Sequence, residues 1–250
     1  MTVAQANLSA DDYTYRLPDH WLLDEENAAD HFPIMHGAYV ARVVERVKQS
    51  GARSVIEVGC GDGWNCGKLV EAGFDVVGVD WSRNGIDYAA RLVPKAQFYC
   101  GDLRSPEFIA KYPHPFDAAI FVEVIEHIPP EDCVNALRNI TAALKNGGTL
   151  VLTTPSTNLL NNNPQHYRHF DEETLRALIH DAGDLVINSI EGYGDVRFEA
   201  QMYRKLRWFE NRYYTIKPIK KHILNQYRAY CLDRPLDRCA GFIVSIRKSV

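Results

Sequence analysis

The chain has 250 residues, with 28 Lys plus Arg against 32 Asp plus Glu, a formal net charge of −4 and 46% hydrophobic residues. These values fit a folded globular domain with an ample core. They exclude a membrane-spanning chain, because no stretch approaches roughly 18 uninterrupted apolar residues, and they argue against a dedicated nucleic-acid binder, which carries a basic excess. The total hides a split, since residues 1–196 hold 15 basic and 28 acidic side chains whereas residues 197–250 hold 13 and 4.

Residues 1–36 show no clear period and are expected to form an arm or lid. Their first stretch, MTVAQANLSADDYTYR, has no basic segment followed by an apolar run, so no secretory signal is read and a cytoplasmic location is expected. From residue 37 helix-like and strand-like segments alternate. Residues 37–49 carry apolar side chains at 40, 43, 44 and 47, a helical period. Residues 54–58 form a short apolar run ended by glycines. Residues 64–72 read as helix with Gly73 to stop it, 74–79 as strand, and 86–92 as helix capped by Ser82. Residues 96–100, 116–122 and 149–154 are further strands, with a helix over 131–144 before the last of them. Residues 158–164 are an asparagine-rich loop, 171–182 a helix capped by Asp171, and 185–190 and 241–247 a late pair of strands. Between that pair, residues 202–230 mix basic and aromatic side chains and read as a helical insertion. The six cysteines, at 60, 66, 100, 133, 231 and 239, form no C-x-x-C pair and read as reduced thiols.

This alternation predicts an α/β, Rossmann-like, doubly wound domain with a mostly parallel seven-stranded sheet, helices on both faces and a late antiparallel strand. The core is expected over 37–196. Residues 197–250 would add the insertion and a final strand to the same domain.

The most informative stretch is Glu57-Val58-Gly59-Cys60-Gly61-Asp62-Gly63, where a strand enters three alternate glycines and then a helix. Glycines there let the backbone turn tightly and let a ligand lie against it. The dinucleotide fingerprint G-x-G-x-x-G is not met, because the third glycine comes one place early. The stretch resembles the E-x-G-x-G-x-G motif of class I S-adenosylmethionine-dependent methyltransferases. Asp80 ends the second strand 19 residues after Gly61, and Cys100-Gly101-Asp102-Leu103 follows the third. The resemblance covers about residues 37–190. It implies S-adenosyl-L-methionine as cofactor, with Glu57, Gly59, Cys60, Gly61 and Gly63 in the loop, Asp80 on the ribose, Asp102 and Leu103 at the adenine, and Trp81 and Glu123 beside them. Read from residue chemistry alone, Asp80 is equally a helix cap and Asp102 a turn residue.

The strand 116–122 runs into Glu123-Val124-Ile125-Glu126-His127, at the carboxyl end of the sheet where ligands lie in open α/β folds. Spacings of three and four place Glu123, Glu126 and His127 on one side of a short helical turn. Such a group serves as acid–base residues, as substrate contacts, as a divalent metal site or as structure alone. His127 is the candidate base, with Glu123 and Glu126 supporting it. The string is similar to those of ubiquinone-biosynthesis O-methyltransferases and small-RNA 2′-O-methyltransferases. In the RNA enzymes two Glu and a His bind a metal with a second downstream His, here His166 or His169. That resemblance implies Mg²⁺ or Mn²⁺. An alcohol acceptor needs its proton removed, so the cluster favours O-methylation of a hydroxyl on a sugar, glycan or small metabolite. RNA 2′-O-methylation and a non-catalytic cofactor-binding scaffold are the alternatives. The basic aromatic tail, including Arg204, Lys205, Trp208, Phe209, Tyr213, Tyr214 and Tyr227, either packs its aromatics on the domain, binds phosphate-bearing or lipid-linked acceptors in peripheral contact with a membrane, or binds RNA.

Overall fold

The computed structural model describes residues 15–22, 32–105, 108, 115–195, 201, 204, 205, 208 and 216–249. Seven strands form one sheet in the order β3-β2-β1-β4-β5-β7-β6: β1 is Ser54–Val58, β2 Asp75–Asp80, β3 Gln97–Cys100, β4 Phe116–Val122, β5 Leu144–Pro155, β6 Leu185–Asp195 and β7 Cys239–Lys248. The pairs β1·β2, β2·β3, β1·β4 and β4·β5 are parallel. Only β7 runs against its neighbours, pairing antiparallel with both β5 and β6. The described helices of eight residues or more are α1 Phe32–Gln49, α2 Trp64–Glu71, α3 Arg83–Leu92, α4 Cys133–Ala142, α5 Glu172–Asp181 and α6 Lys217–Tyr230.

Strand alternation sends side chains to two separate cores. Val55, Ala118, Ile120 and Val151 join α1, α2 and α6 on one face. Ile56, Ala119, Phe121 and Leu152 join α4 and α5 on the other. Both faces being covered explains why the inner strands read as continuous apolar runs. Ser82 caps α3 by accepting from the Gly85 N–H at 3.2 Å, and Asp171 caps α5 by accepting from the Thr174 N–H at 2.7 Å.

Some elements differ from the sequence expectation. Helix α1 begins at Phe32 rather than 37, because Ile34 and Met35 extend its buried face and Pro33 is tolerated in a first turn. Helix α4 is shorter than 131–144, since Leu144 is taken into β5 and pairs with Phe116. Strand β6 runs on to Asp195, which brings Tyr193 to the carboxyl ends of β4 and β5.

Helix α6 buries Lys220, Ile223, Leu224 and Tyr227 and exposes Lys217, Lys221 and Arg228, so the described part of the basic segment packs one face on the domain. Arg204, Lys205 and Trp208 are exposed, whereas Phe209, Tyr213 and Tyr214 fall outside the described residues. A charge network links distant segments: Arg42 of α1 binds Asp233 through two bonds of 2.9 and 3.1 Å and also reaches Glu191 of β6, which Arg46 meets at 2.6 Å. No described helix is long and apolar enough to cross a membrane.

Candidate active site

The first half of the site is made by the turn after β1. Gly59 and Gly61 adopt φ of 76° and 51°, in the left-handed region where a side chain is strained. Space is equally short: a Cβ on Gly59 would strike the Val124 side chain, and one on Gly61 the Tyr15 phenol. The Gly59 N–H donates to the Val79 carbonyl at 2.7 Å and the Gly61 N–H to Asp80 Oδ2 at 2.9 Å. Asp80 Oδ1 accepts from the Ser82 N–H at 2.8 Å, so this carboxylate both braces the loop and begins α3. Gly63 stands at the N-cap of α2.

Glu57 lies beneath the loop with no exposed surface. Its Oε1 accepts from Asn65 Nδ2 at 2.8 Å and the Cys66 thiol also reaches the carboxyl, while Glu57 Oε2 and Asn65 Oδ1 are buried with no N–H or O–H donor. Burial pushes the Glu57 carboxyl up to about 7. Two buried acceptors without donors are costly unless something supplies N–H groups. An ammonium has three N–H donors and no acceptor, so the amino-acid end of S-adenosylmethionine fits this place. The neighbouring Cys60 thiol, also buried, is pushed up to about 11.

Three further residues expected at the cofactor follow β2 and β3. Trp81 is 51% exposed and its carbonyl accepts from the Cys100 thiol at 3.3 Å. Asp102 faces Arg104, which binds it at 2.7 Å and holds its carboxyl below the ordinary range. The Leu103 carbonyl accepts from Asn139 Nδ2 at 2.7 Å, which fixes the backbone beside it.

The described part of the N-terminal arm lies on the same loop. The His20 N–H donates to Asp62 Oδ2 at 3.0 Å, the His20 ring meets Asp62 Oδ1 at 3.2 Å, and Trp21 Nε1 donates to the Asp62 carbonyl at 3.0 Å. The Asp62 bond raises the His20 pKa against the opposing effect of burial. Nothing local in the sequence marks these contacts, because 41 or 42 residues separate the partners.

The second half of the site follows β4. Glu123 has φ of 54°, a strained backbone at the strand's carboxyl end. Its Oε1 accepts from the Thr153 hydroxyl and the Tyr193 hydroxyl, each at 2.8 Å. Tyr193 stacks on Tyr39 with ring centroids 4.6 Å apart, and the Tyr39 hydroxyl meets His36 Nδ1 at 2.7 Å. Burial drives the His36 pKa down to about 3. The 3-10 turn Ile125–His127 then aims Glu126 inward. Thr154 donates to Glu126 Oε2 at 3.2 Å, while Glu126 Oε1 is buried with no partner. Burial first and the Glu123 carboxylate second raise the Glu126 pKa, so this pair shares its charge.

His127 and His166 close the cluster. Ligand atoms of Glu126, His127 and His166 all lie within 4.8 Å of one another. The ring of His127 meets that of His166 edge to face at 4.5 Å. Desolvation lowers both imidazole pKa values, that of His166 to about 4, which keeps each ring neutral near pH 7. Glu123 and His169 stand just outside this group, the first tied to Thr153 and Tyr193, the second to His166 and Leu159. The free Glu126 oxygen and two neutral imidazoles fit a divalent ion, and an N₂O donor set favours Mn²⁺ over Mg²⁺. Residues without an expected role that the fold brings here are His36, Tyr39, Asn65 and Tyr193. Asn65 alone had a local signal, one helical turn past the glycine loop.

A loop braced by the acid that ends β2, opening where β1 parts from β4, defines a class I, Rossmann-like S-adenosylmethionine-dependent methyltransferase domain. The family described as methyltransferase domain matches residues 34–187, and the chain belongs to it. A ubiquinone biosynthesis O-methyltransferase of Coxiella burnetii is 33% identical over 110 residues, covering 42% of this chain and 45% of the relative. A probable S-adenosylmethionine-dependent methyltransferase of Mycobacterium tuberculosis is 26% identical over 141 residues, covering 53% and 48%. The chain thus spans about half the length of these curated relatives. Among solved structures, a magnesium protoporphyrin IX methyltransferase from Synechocystis with bound S-adenosylmethionine is 17% identical with a TM-score of 0.60, covering 99% of this chain and 100% of that one. The methyltransferase domain of bacterial CtHen1 is 15% identical with a TM-score of 0.57, covering 86% and 100%. At those identities the likeness concerns the fold.

Proposed function

We propose that the protein transfers the methyl group of S-adenosylmethionine to a hydroxyl of a sugar, glycan or small metabolite. The observation that carries this reading is the Glu126–His127–His166 cluster at the carboxyl ends of β4 and β5, the same sheet edge as the glycine loop. The sulfonium methyl is already activated, so a thiol or amine acceptor would need mainly alignment. A hydroxyl must also lose its proton, and a base contributes about 10² to 10⁴-fold. Neutral His127 has its Nδ1 against the Gln165 carbonyl at 3.2 Å, which leaves Nε2 to take that proton. Glu57 and Asn65 orient the donor's ammonium, and Asp80 fixes the loop that carries it. Where a Mn²⁺ or Mg²⁺ is held by Glu126, His127 and His166, the ion takes the His127 Nε2 lone pair and would supply Lewis-acid help to the hydroxyl in place of that base.

Calorimetry with S-adenosylhomocysteine and with NAD tests the cofactor half: binding of the first and not the second is expected, and the reverse overturns the reading. Release of S-adenosylhomocysteine across a panel of hydroxyl acceptors tests the second half. Turnover that falls at least about 100-fold in His127→Ala supports it, and full turnover in that variant overturns His127 as base. Loss of turnover in EDTA that Mn²⁺ restores supports the metal, and unchanged turnover removes it.

A further inference from the structure

The three histidines are joined in a way that determines where their hydrogens sit. A carbonyl oxygen accepts and never donates. His169 Nδ1 lies 3.2 Å from the Leu159 carbonyl, so it carries the hydrogen of that pair. With that hydrogen on Nδ1, the lone pair of the His169 ring is on Nε2. That atom is 3.0 Å from His166 Nδ1, which must in turn be the donor. The outcome is a His166 whose Nε2 is unprotonated. His127 reaches the same tautomer by a separate route, because its Nδ1 faces the Gln165 carbonyl.

The loop holding these groups is itself fixed. The Tyr167 N–H donates to the Glu126 carbonyl at 2.8 Å and the His166 N–H to the Asn163 carbonyl at 3.0 Å. Asn161 Nδ2 donates to the His166 carbonyl at 3.1 Å. The ring of His166 is thereby set edge-on to His127 and inclined at 55° to His169, with 5.3 Å between the latter pair's centroids.

We infer that His169 is a positioning residue: anchored by the Leu159 carbonyl, it sets the tautomer of His166, so that His166 and His127 both offer an unprotonated Nε2 to the cluster they form with Glu126. Of the two downstream histidines, His166 is the one that meets an ion or a hydroxyl, and His169 acts only through it. Partners of this kind change metal affinity about 10- to 100-fold when removed from a ligating histidine. This inference rests on the proposed cluster, but its first readout needs no metal and no turnover.

The test compares His169→Leu, which removes the acceptor, with His169→Gln, whose side-chain oxygen can replace Nε2 as acceptor. Imidazole-nitrogen NMR of the metal-free protein should show His166 and His127 both as the Nδ1–H tautomer. In His169→Leu, His166 should shift toward the Nε2–H form while His127 is unchanged, and His169→Gln should keep the wild-type tautomer. Mn²⁺ affinity, read by electron paramagnetic resonance, should fall about 10- to 100-fold in His169→Leu and stay within about threefold in His169→Gln. S-adenosylhomocysteine affinity, equal in all three proteins, reports that the variants are folded. An Nε2–H tautomer for His166 in the wild type overturns the inference, as does an unchanged tautomer in His169→Leu. If the tautomers behave as stated but the wild type binds no Mn²⁺, the positioning role stands and the metal reading fails.

Discussion

The two ends of the site are built by different means. Around the glycine loop the parts are backbone and one short segment: Glu57 to Asn65, with Asp80 reaching back to the Gly61 N–H. Around Glu126 they are side chains from four segments, His36 and Tyr39, Glu123 to His127, Thr153 to His169, and Tyr193. A backbone cradle tolerates few substitutions because it has no side chain to trade. A side-chain cluster is assembled by tertiary packing, so it can be retuned residue by residue without disturbing the sheet. A fixed glycine-loop end beside an adjustable Glu126 end follows from that difference.

The comparison is broken most severely where Gly59 of one end meets Val124 of the other. Gly59→Ala should destabilise the fold by at least about 2 kcal/mol, from left-handed backbone strain and overpacking against Val124. It should also displace Glu123 and Ile125 on either side of Val124. The expectation is a lower melting temperature together with loss of S-adenosylhomocysteine binding; retention of both would mean that Val124 yields freely.

Tyr193→Phe sharpens the comparison by acting on one end. It removes a 2.8 Å donor to Glu123, worth about 1 kcal/mol, in chemical denaturation. Turnover should fall while S-adenosylhomocysteine affinity stays within about twofold, because no cofactor-side group is touched. A matching loss of cofactor affinity would show that the two ends are mechanically one.

The smallest effect serves as a control at the opposite edge of the sheet. Asp117 accepts from Lys145 Nζ at 2.6 Å and from the backbone N–H groups of Arg53 and Ser54, and its carboxyl is held well below the ordinary range, chiefly by Lys145. A depressed folded-state pKa contributes stability that is complete above the ordinary carboxylate value of about 3.9 and is lost as pH falls below it. Asp117→Asn should therefore cost under about 1 kcal/mol at pH 7, since the pair is partly exposed. The difference in melting temperature from the wild type should shrink as pH drops through about 4, with ligand affinities unchanged.

Local pattern made the first end legible. Glycines, a strand-ending Asp80 and a capping Ser82 act over a few residues, so their roles are written in adjacent letters. The Glu123-Val124-Ile125-Glu126-His127 string was equally visible. The partners that give it shape were not, since Tyr193 reaches Glu123 across 70 residues and His127 reaches Gln165 across 38. The pair of candidate histidines shows the limit well: spacing alone treats His166 and His169 alike, and the fold separates them by setting His166 with Glu126 and His127 and tying His169 to the Leu159 carbonyl. Likewise the alternation of strands was readable, but the start of α1 at Phe32 was decided by burial of Ile34, which is a property of the packed sheet.

The place of β7 has a consequence for how the molecule is made. It lies between β5 and β6 and is the only strand that joins them, yet of the seven it is the last to leave the ribosome. Until residues 239–248 are available, β6 has no edge to pair with and Tyr193 has no fixed position near Glu123. The glycine-loop end needs only β1 to β4, all synthesised earlier. The glycine-loop end can thus take shape on a nascent chain, whereas the Glu126 end is completed only when the last strand is threaded between its neighbours, a long-range pairing of the kind that forms slowly.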